Sequence, residues 1–315
     1  VNGDNVYGNS YEFRRFLPVI DSTNSSNSSL SEAGSGKNNK HNNNNKRAKW
    51  TMLVYIQANN NLDAHALSNL EEMSVVGSNN RLNILVQLHD PRHRGIWRYK
   101  IERGKMLLKV KEPGNSDGNK ADDLIDSMRW AVNNYPAEHY NVYLNNHGSS
   151  WKGICIDENP ICDLLNLTDL KNALSRAATE INRKIDVLSM DACLMSNVEV
   201  AYQLKNCVNY IVGSECFIHT HEKNDGLFLN WRVDEIYGAL VAYPYMTAEE
   251  LCIESVIDFK TDVAYILPPA IIKPQAVDCV SAIDVSKIDT LSPFVFSIIT
   301  CSSVGEFNVS FMHGR

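Results

Sequence analysis

The chain has 315 residues, of which 30 are Lys or Arg and 37 are Asp or Glu, so its formal net charge is −7. This acidic balance argues against a nucleic-acid-binding protein, and no stretch approaches the roughly 20 consecutive apolar residues that cross a bilayer. Eight cysteines without a Cys-x-x-Cys pair are too few for a disulfide scaffold, and 44% hydrophobic residues are typical of a globular chain.

The first 49 residues differ in composition from the rest of the chain. Ser and Asn dominate the stretch from Ser22 to Lys46, which can bury little apolar surface and so cannot offset the entropy of its own ordering. We therefore predict that residues 1–49 form an N-terminal tail and flexible linker. Residues 50–315 are predicted to form one domain, and its last residues show no ending signal, which leaves room for a natural C-terminus further on.

From Thr51 onward, short apolar runs alternate with amphipathic segments. Strands are predicted over 52–56, 82–88, 140–144, 185–189, 210–212 and 276–283, with a hairpin over 97–110 around Arg103-Gly104. Helices are predicted over 63–76, 122–135, 167–181 and 197–204, in much of 226–260, and from Ser286 onward. Short strands separated by helices of about three turns predict an α/β fold with a mostly parallel sheet covered on both faces.

Two predicted strands end in residues that can carry chemistry. The strand over 140–144 runs into Asn146-His147-Gly148, and the strand over 185–189 runs into Asp191-Ala192-Cys193. If the two strands are parallel neighbours, the imidazole and the thiol emerge at the same edge of the sheet. A thiol nucleophile with an imidazole base requires this arrangement.

Local features favour a reactive thiol at Cys193. Ser196 and Glu199 match a capping box, which predicts Ser196 as the N-cap of a helix just after the cysteine, where the helix dipole favours thiolate. The N–H groups of Gly148 and Cys193 could together bind an oxyanion. The alternative is that Cys193 is a buried structural cysteine, the commoner role of a free thiol.

The strings Asn146-His147-Gly148 and Asp191-Ala192-Cys193-Leu194-Met195, together with Glu199-Val200-Ala201, resemble the clostripain-like cysteine peptidases, which are relatives of caspases, gingipains and legumain. The resemblance covers residues 50–303. It implies a caspase-like three-layer sandwich, in which helices flank a mostly parallel central sheet.

The resemblance also implies an endopeptidase that cuts after Arg or Lys, with His147 and Cys193 as a catalytic dyad. Asp191 would line the S1 pocket, and a carboxylate there favours a basic P1 side chain over a neutral one. The alternative for Asp191 is a turn aspartate that binds nearby backbone N–H groups. Substrates would be proteins or peptides with a basic P1 residue. Relatives often mature by self-cleavage between the histidine and the cysteine, and in the segment from Ser149 to Leu167 the only basic residue is Lys152, which is a weak candidate for it.

The resemblance implies no required cofactor and leaves room for calcium. The oxygen donors would be Asp157, Glu158 and Asp163, whose spacing fits no EF-hand loop and is otherwise typical of an acidic surface loop. We also expect a secreted or cell-envelope location, although no signal peptide is visible.

Two other hypotheses remain open at this point. A peptidase fold without activity could serve as a binding or adhesion module, because the segment from Cys216 to Asp225 departs from the family pattern. A metal-dependent hydrolase could use His219 and His221, which would share one face of a strand, although a polar loop is the more common origin of such a cluster.

We predict structural roles for the other seven cysteines, which are Cys155, Cys162, Cys207, Cys216, Cys252, Cys279 and Cys301.

Overall fold

A nine-stranded sheet organises the computed structural model of the protein. The structure describes residues 19–20, 47–90, 92, 95–114, 120–157, 163–218, 221–222, 228–229, 231–266 and 279–290. The strands are β1 (Val19–Ile20), β2 (Ala48–Gln57), β3 (Leu82–His89), β4 (Gly95–Glu102), β5 (Lys105–Pro113), β6 (Ala137–Asn145), β7 (Gly153–Asp157), β8 (Asp163–Asn166), β9 (Ile185–Asp191), β10 (Val208–Gly213), β11 (His221–Glu222), β12 (Phe228–Leu229) and β13 (Ser281–Asp284). The helices are α1 (Asp63–Val76), α2 (Ala121–Asn134), α3 (Leu167–Glu180), α4 (Val198–Leu204), α5 (Val233–Ala242) and α6 (Ala248–Ile266).

The centre of the large sheet is parallel and its flanks contain antiparallel pairs. The strand order is β1-β5-β4-β3-β2-β6-β9-β10-β13. All pairs from β3 through β2, β6 and β9 to β10 are parallel, whereas β4 pairs antiparallel with both β3 and β5, and β13 pairs antiparallel with β10. The predicted α/β class is confirmed.

Helices cover both faces of the sheet, as the continuous apolar strands require. One hydrophobic core packs α2, α3 and α4 against one face and includes Leu53 and Tyr55 of β2. A second core packs α1, α5 and α6 against the other face and includes Val54 and Ile56 of the same strand. Successive residues of β2 therefore serve opposite cores, and the result is a three-layer sandwich.

The observed elements follow the predicted ones closely, with differences at several ends. The hairpin turn lies at Arg103-Gly104, where Gly104 has φ 73°. The helical region after residue 226 is two helices, α5 and α6, separated by a segment that contains Pro244, because proline cannot continue a helix. The last predicted strand is shorter, and residues 276–278 of that prediction lie outside the described part. A 3-10 turn over Val285–Lys287 follows it, and residues 288–290 are α-helical, so the helix predicted from Ser286 starts two residues later than predicted.

The chain before the predicted domain start contributes residues to the large sheet. The predicted tail contains β1, which pairs parallel with β5 at the sheet edge, while the rest of residues 1–46 lies outside the described part. The first central strand begins at Ala48, two residues before the predicted domain start. The division of the chain at residue 50 stays a prediction. None of the helices that the structure describes combines the length and apolar character needed to cross a membrane.

Candidate active site

Strand register brings His147 and Cys193 to the same edge of the sheet. β6 and β9 are adjacent and parallel, and Asn145 is the partner of Asp191 in the ladder. His147 follows Asn145 by two positions and Cys193 follows Asp191 by two positions. The two residues therefore leave neighbouring strands at the same height, as the strand-end argument predicted.

The loops that follow β6 and β9 touch each other. The N–H of Asn146 donates to the carbonyl oxygen of Asp191 at 3.2 Å. A Cβ atom at Gly148 would lie 2.2 Å from the carbonyl oxygen of Cys193 and 2.8 Å from Cγ of Met195. Only glycine fits so close an approach, so the backbones of the two residues predicted to bind an oxyanion lie side by side.

Asn146 fixes the position of the His147 backbone. Its Nδ2 donates to both the backbone and the side-chain oxygen of Gln57, at the end of β2. Its Oδ1 accepts from the N–H of His147 and, at 2.7 Å, from the N–H of Ile156 in β7. One buried amide therefore connects three strands around the histidine.

Asn61 contacts the imidazole directly, and the sequence analysis missed it. Nε2 of His147 lies 2.7 Å from Oδ1 of Asn61. Because an amide oxygen only accepts, this contact places the proton on Nε2 and leaves Nδ1 as the acceptor nitrogen. The preceding residues hold β7 in place, since Asn59 donates to Asp157 at 2.9 Å and Asn60 donates to the carbonyl of Ile156 at 2.8 Å.

Cys193 is partly exposed and is not in a disulfide. Its Sγ accepts from the N–H of Ile218 at 3.3 Å and lies 3.9 Å from the carbonyl oxygen of the same residue, to which the thiol can donate. The next residue, Leu194, has φ 63° and donates its N–H to the carbonyl of Cys216 at 3.1 Å. A left-handed leucine is a strained conformation, and the bonds to the segment after β10 hold it in place.

The predicted N-cap at Ser196 is wrong by one residue. The helix α4 starts at Val198, and Oδ1 of Asn197 accepts from the N–H of Val200 at 2.9 Å. The hydroxyl of Ser196 instead bonds Ser281 at 2.8 Å, so it is not available as a cap. Cys193 thus precedes α4 by several residues, and the dipole of this seven-residue helix contributes less to its thiolate than predicted.

Asp191 is buried, with only 5% of its surface exposed. Its Oδ2 accepts from the hydroxyl of Tyr143 at 2.9 Å and from Nδ2 of Asn145 at 2.7 Å, and both donors come from β6. Burial raises the pKa of Asp191 from 3.8 to about 6, although these donors and Asn69 act in the opposite direction. Side chains of the neighbouring strand therefore bind it, in place of the local backbone N–H groups of the turn alternative.

The residues considered for calcium differ in their surroundings. Asp157 is buried and accepts from Asn59, whereas Asp163 is exposed on the facing strand β8, and Glu158 lies outside the described residues. Within the described ranges, no group of three or more His, Cys, Asp or Glu side chains could hold a metal ion. The metal-hydrolase hypothesis rests on His219 and the side chain of His221, which also lie outside the described part.

The other candidate residues differ in their surroundings. Lys152, the candidate for self-cleavage, is exposed in a 3-10 turn over Ser150–Lys152. Burial raises the pKa of Cys155 to about 12, which suits a structural role. Of the other cysteines, Cys207 and Cys252 are buried and Cys216 and Cys279 are partly exposed, while Cys162 and Cys301 lie outside the described part.

Comparisons with known proteins agree with this geometry. A family model described as the clostripain family matches residues 54–227. Clostripain from Hathewaya histolytica is 26% identical over an alignment 198 residues long, which covers 51% of this chain and 36% of that protein. The chain thus spans little more than a third of the length of this curated relative.

Solved structures share the fold. A secreted C11 cysteine protease from Bacteroides thetaiotaomicron, in complex with an irreversible peptide inhibitor, has a TM-score of 0.62 at 23% identity, covering 80% of this chain and 71% of its own. An inactive zymogen C11 protease from Parabacteroides distasonis has a TM-score of 0.59 at 21% identity, covering 78% of this chain and 65% of its own.

Proposed function

Since this chain belongs to the clostripain family of cysteine peptidases, we propose that it is an endopeptidase in which Cys193 is the nucleophile and His147 transfers the protons. The observation that carries this proposal is the paired register of β6 and β9, which sets the thiol and the imidazole on touching loops at one sheet edge. A structural cysteine would have no need of a histidine at the same height on the neighbouring strand.

The proposed reaction has two stages. Sγ of Cys193 attacks the scissile carbonyl carbon, a C–S bond forms, and His147 gives a proton to the leaving amine as the C–N bond breaks. A water molecule, which His147 deprotonates, then hydrolyses the thioester. The N–H groups of Gly148 and Cys193 would bind the oxyanion, because their backbones are in contact and adjoin the attacking sulfur.

Asn61 has a positioning role in this proposal. With Nε2–H donated to Asn61, the imidazole cannot rotate freely about its long axis, and Nδ1 is the nitrogen that remains to exchange protons with the reacting atoms. A neutral amide does this without adding charge, so the imidazole can alternate between its acid and base forms during the cycle.

Asp191 would select proteins or peptides with Arg or Lys at P1. With a pKa of about 6 the carboxylate is largely ionised at pH 7.5, even though burial opposes its charge. A cationic side chain beside it would offset that burial penalty, whereas a neutral side chain would not. Substrates with basic P1 residues would therefore bind more tightly at this edge of the sheet.

The direct test is Cys193→Ala against peptide reporters that end in Arg or Lys. We expect the variant to lose turnover while its far-UV circular dichroism spectrum is unchanged, because a partly exposed thiol contributes little to packing. Cys279→Ala, assayed in reducing buffer, is the matched control and should keep full activity. Undiminished turnover by Cys193→Ala would contradict the proposal.

A thiol-reactive probe separates this proposal from an inactive binding module. An activated Cys193 should be labelled rapidly at mildly acidic pH, where an ordinary thiol reacts slowly. Slow labelling together with no cleavage of any reporter would favour the binding module.

A secreted or cell-envelope location stays a prediction, and the secreted protease with the same fold is consistent with it.

A further inference from the structure

Two partly exposed thiols lie side by side near the candidate active site. Oγ of Ser214 is 3.7 Å from Sγ of Cys216 and 3.9 Å from Sγ of Cys279. Burial and, after it, the neighbouring Cys216 thiol raise the pKa of Cys279, as expected of two sulfurs close to each other. Neither cysteine is in a disulfide.

The sheet itself brings these distant residues together. β10 and β13 are antiparallel, and their ladder ends with Gly213 opposite Ser281. Cys216 lies three residues beyond one end of this pair, and Cys279 lies two residues before the other. Both cysteines therefore lie just past the same end of this strand pair, where Oγ of Ser214 contacts the sulfur of each.

We propose that Cys216 and Cys279 form a disulfide under oxidising conditions, which makes the pair a redox-sensitive link between the segment beside Cys193 and the last strand of the sheet. Paired Sγ atoms across the end of a strand ladder provide the proximity that such a bond requires. The proposal revises the structural role predicted for these two cysteines from the sequence.

The link would act on the segment that contacts the nucleophile. The carbonyl of Cys216 accepts from the N–H of Leu194 at 3.1 Å. Two residues later, the N–H of Ile218 donates to Sγ of Cys193 at 3.3 Å. Cys216 thus makes one contact to the nucleophile loop itself and lies two residues before the other, so a covalent bond to Cys279 would restrain both without consuming the catalytic thiol.

A low-molecular-weight disulfide such as oxidised glutathione is a sufficient oxidant. One protein thiolate attacks it, forms a mixed disulfide and releases one glutathione thiolate. The second protein thiolate attacks the protein sulfur of that mixed disulfide and releases the other glutathione. The two protein thiols lose two protons and two electrons in total, and the oxidant is reduced to two thiols. Burial, together with the neighbouring Cys216, raises the pKa of Cys279 to about 11, so the exchange should become faster as the pH rises.

The experiment uses the full chain with Cys193→Ala, so its result does not depend on peptidase activity. After treatment with oxidised glutathione at pH 8, non-reducing peptide mapping should give one linked pair of peptides that contain Cys216 and Cys279. The denatured protein should contain two fewer free thiols, and its Tm should rise by about 5 °C and return after reduction. A second variant that also carries Cys279→Ser should show no linked pair and no rise in Tm.

Three results would overturn the proposal. These are separate glutathione adducts on the two cysteines without a linked pair, a link from either cysteine to another cysteine, and an unchanged thiol count. If the linked pair forms while the Cys193→Ala reporter assay contradicts the peptidase function, the link stands and the proposed function fails.

Discussion

At the scale of single residues, Asn61 decides which nitrogen of His147 exchanges protons. Asn61→Ala removes the acceptor for Nε2–H, so we expect kcat to fall at least about tenfold with little change in KM, because substrate binding does not use this contact. Exposed Asn134→Ala, whose amide bonds only its own helix, should leave kcat unchanged.

Asn61→Asp tests the same role in another way. A carboxylate keeps the acceptor and adds a negative charge beside the imidazole, which raises the pKa of His147. We expect activity well above that of Asn61→Ala. The inflection of the kcat/KM pH profile that reports the titration of His147 should move to higher pH. An unchanged inflection in a folded variant would show that Asn61 does not act through the histidine.

The buried carboxyl of Asp191 gives the protein a stability that depends on pH. Its pKa is about 6 in the folded protein, compared with an ordinary value of 3.8, so the folded state holds this proton more tightly than the unfolded chain. The contribution to stability is fully present below about pH 4 and is lost as the pH rises through about 6, a loss of about 3 kcal/mol.

Asp191→Asn should remove this loss, because an amide does not ionise and its oxygen can still accept from Tyr143. Urea unfolding at pH 4.5 and pH 7.5 should show the parent chain losing more free energy of unfolding than the variant. In reporter assays the variant should also lose its preference for Arg or Lys over a neutral P1 residue. Equal pH dependence in both proteins would contradict the raised pKa.

The residues of the site differ in how far they could be predicted. His147 and Cys193 each follow an apolar strand directly, so the strand-end rule located them. Asn61 also follows a buried strand next to β6, but it belongs to a run of asparagines that is typical of a turn. Ser196 and Asn197 both suit an N-cap, and only the tertiary contact of Ser196 with Ser281 decides between them.

At the scale of elements, the fit of the two loops depends on Gly148. Gly148→Ala would place a Cβ atom 2.2 Å from a backbone oxygen, which cannot be relieved by a side-chain rotation. We expect the loop after β6 to move away from Cys193, with a loss of activity of at least about 100-fold and a loss of stability of about 1–3 kcal/mol. Gly238→Ala is the control, because a Cβ there meets nothing within 4 Å. Near-normal activity in Gly148→Ala would show that close contact of these loops is not needed.

The start of α4 is coupled to the nucleophile loop. Nδ2 of Asn197 donates to the carbonyl of Leu194 at 2.7 Å, while its Oδ1 caps the helix. Asn197→Ala should cost about 1 kcal/mol in urea unfolding and also lower kcat. Asn166→Ala removes the equivalent cap of α3 and should cost a similar free energy with kcat unchanged. Equal kcat values for the two variants would argue against the coupling.

Short elements were the ones that sequence patterns missed. β7 and β8 have only five and four residues, with an aspartate at the end of one and the start of the other, so they are too short for a pattern of apolar residues to mark them. Their position follows from side chains far away in sequence, since Asn59 and Asn60 bond β7 from the end of β2. Long apolar strands such as β2 were predictable because burial on both faces leaves a continuous hydrophobic run.

At the scale of the whole molecule, stability should be greatest at the centre of the sheet. β2 and β6 have strands on both sides and hydrophobic cores on both faces, whereas β4 and β5 lie towards one edge. Hydrogen exchange followed by mass spectrometry should therefore find the slowest amides in β2 and β6 and faster exchange in the β4–β5 hairpin. Uniform protection across these four strands would contradict this expectation.

The matched ladder of β6 and β9 has a consequence for how tolerant the protein is of change. Because pairing between neighbours sets the spacing of sulfur and imidazole, the length of the connection that joins the two strands is free to vary. Added or deleted residues on the solvent side of that connection should leave the reacting atoms in place. A slip of one residue between the strands would instead shift the sulfur by about 3.3 Å along the strand direction relative to the imidazole.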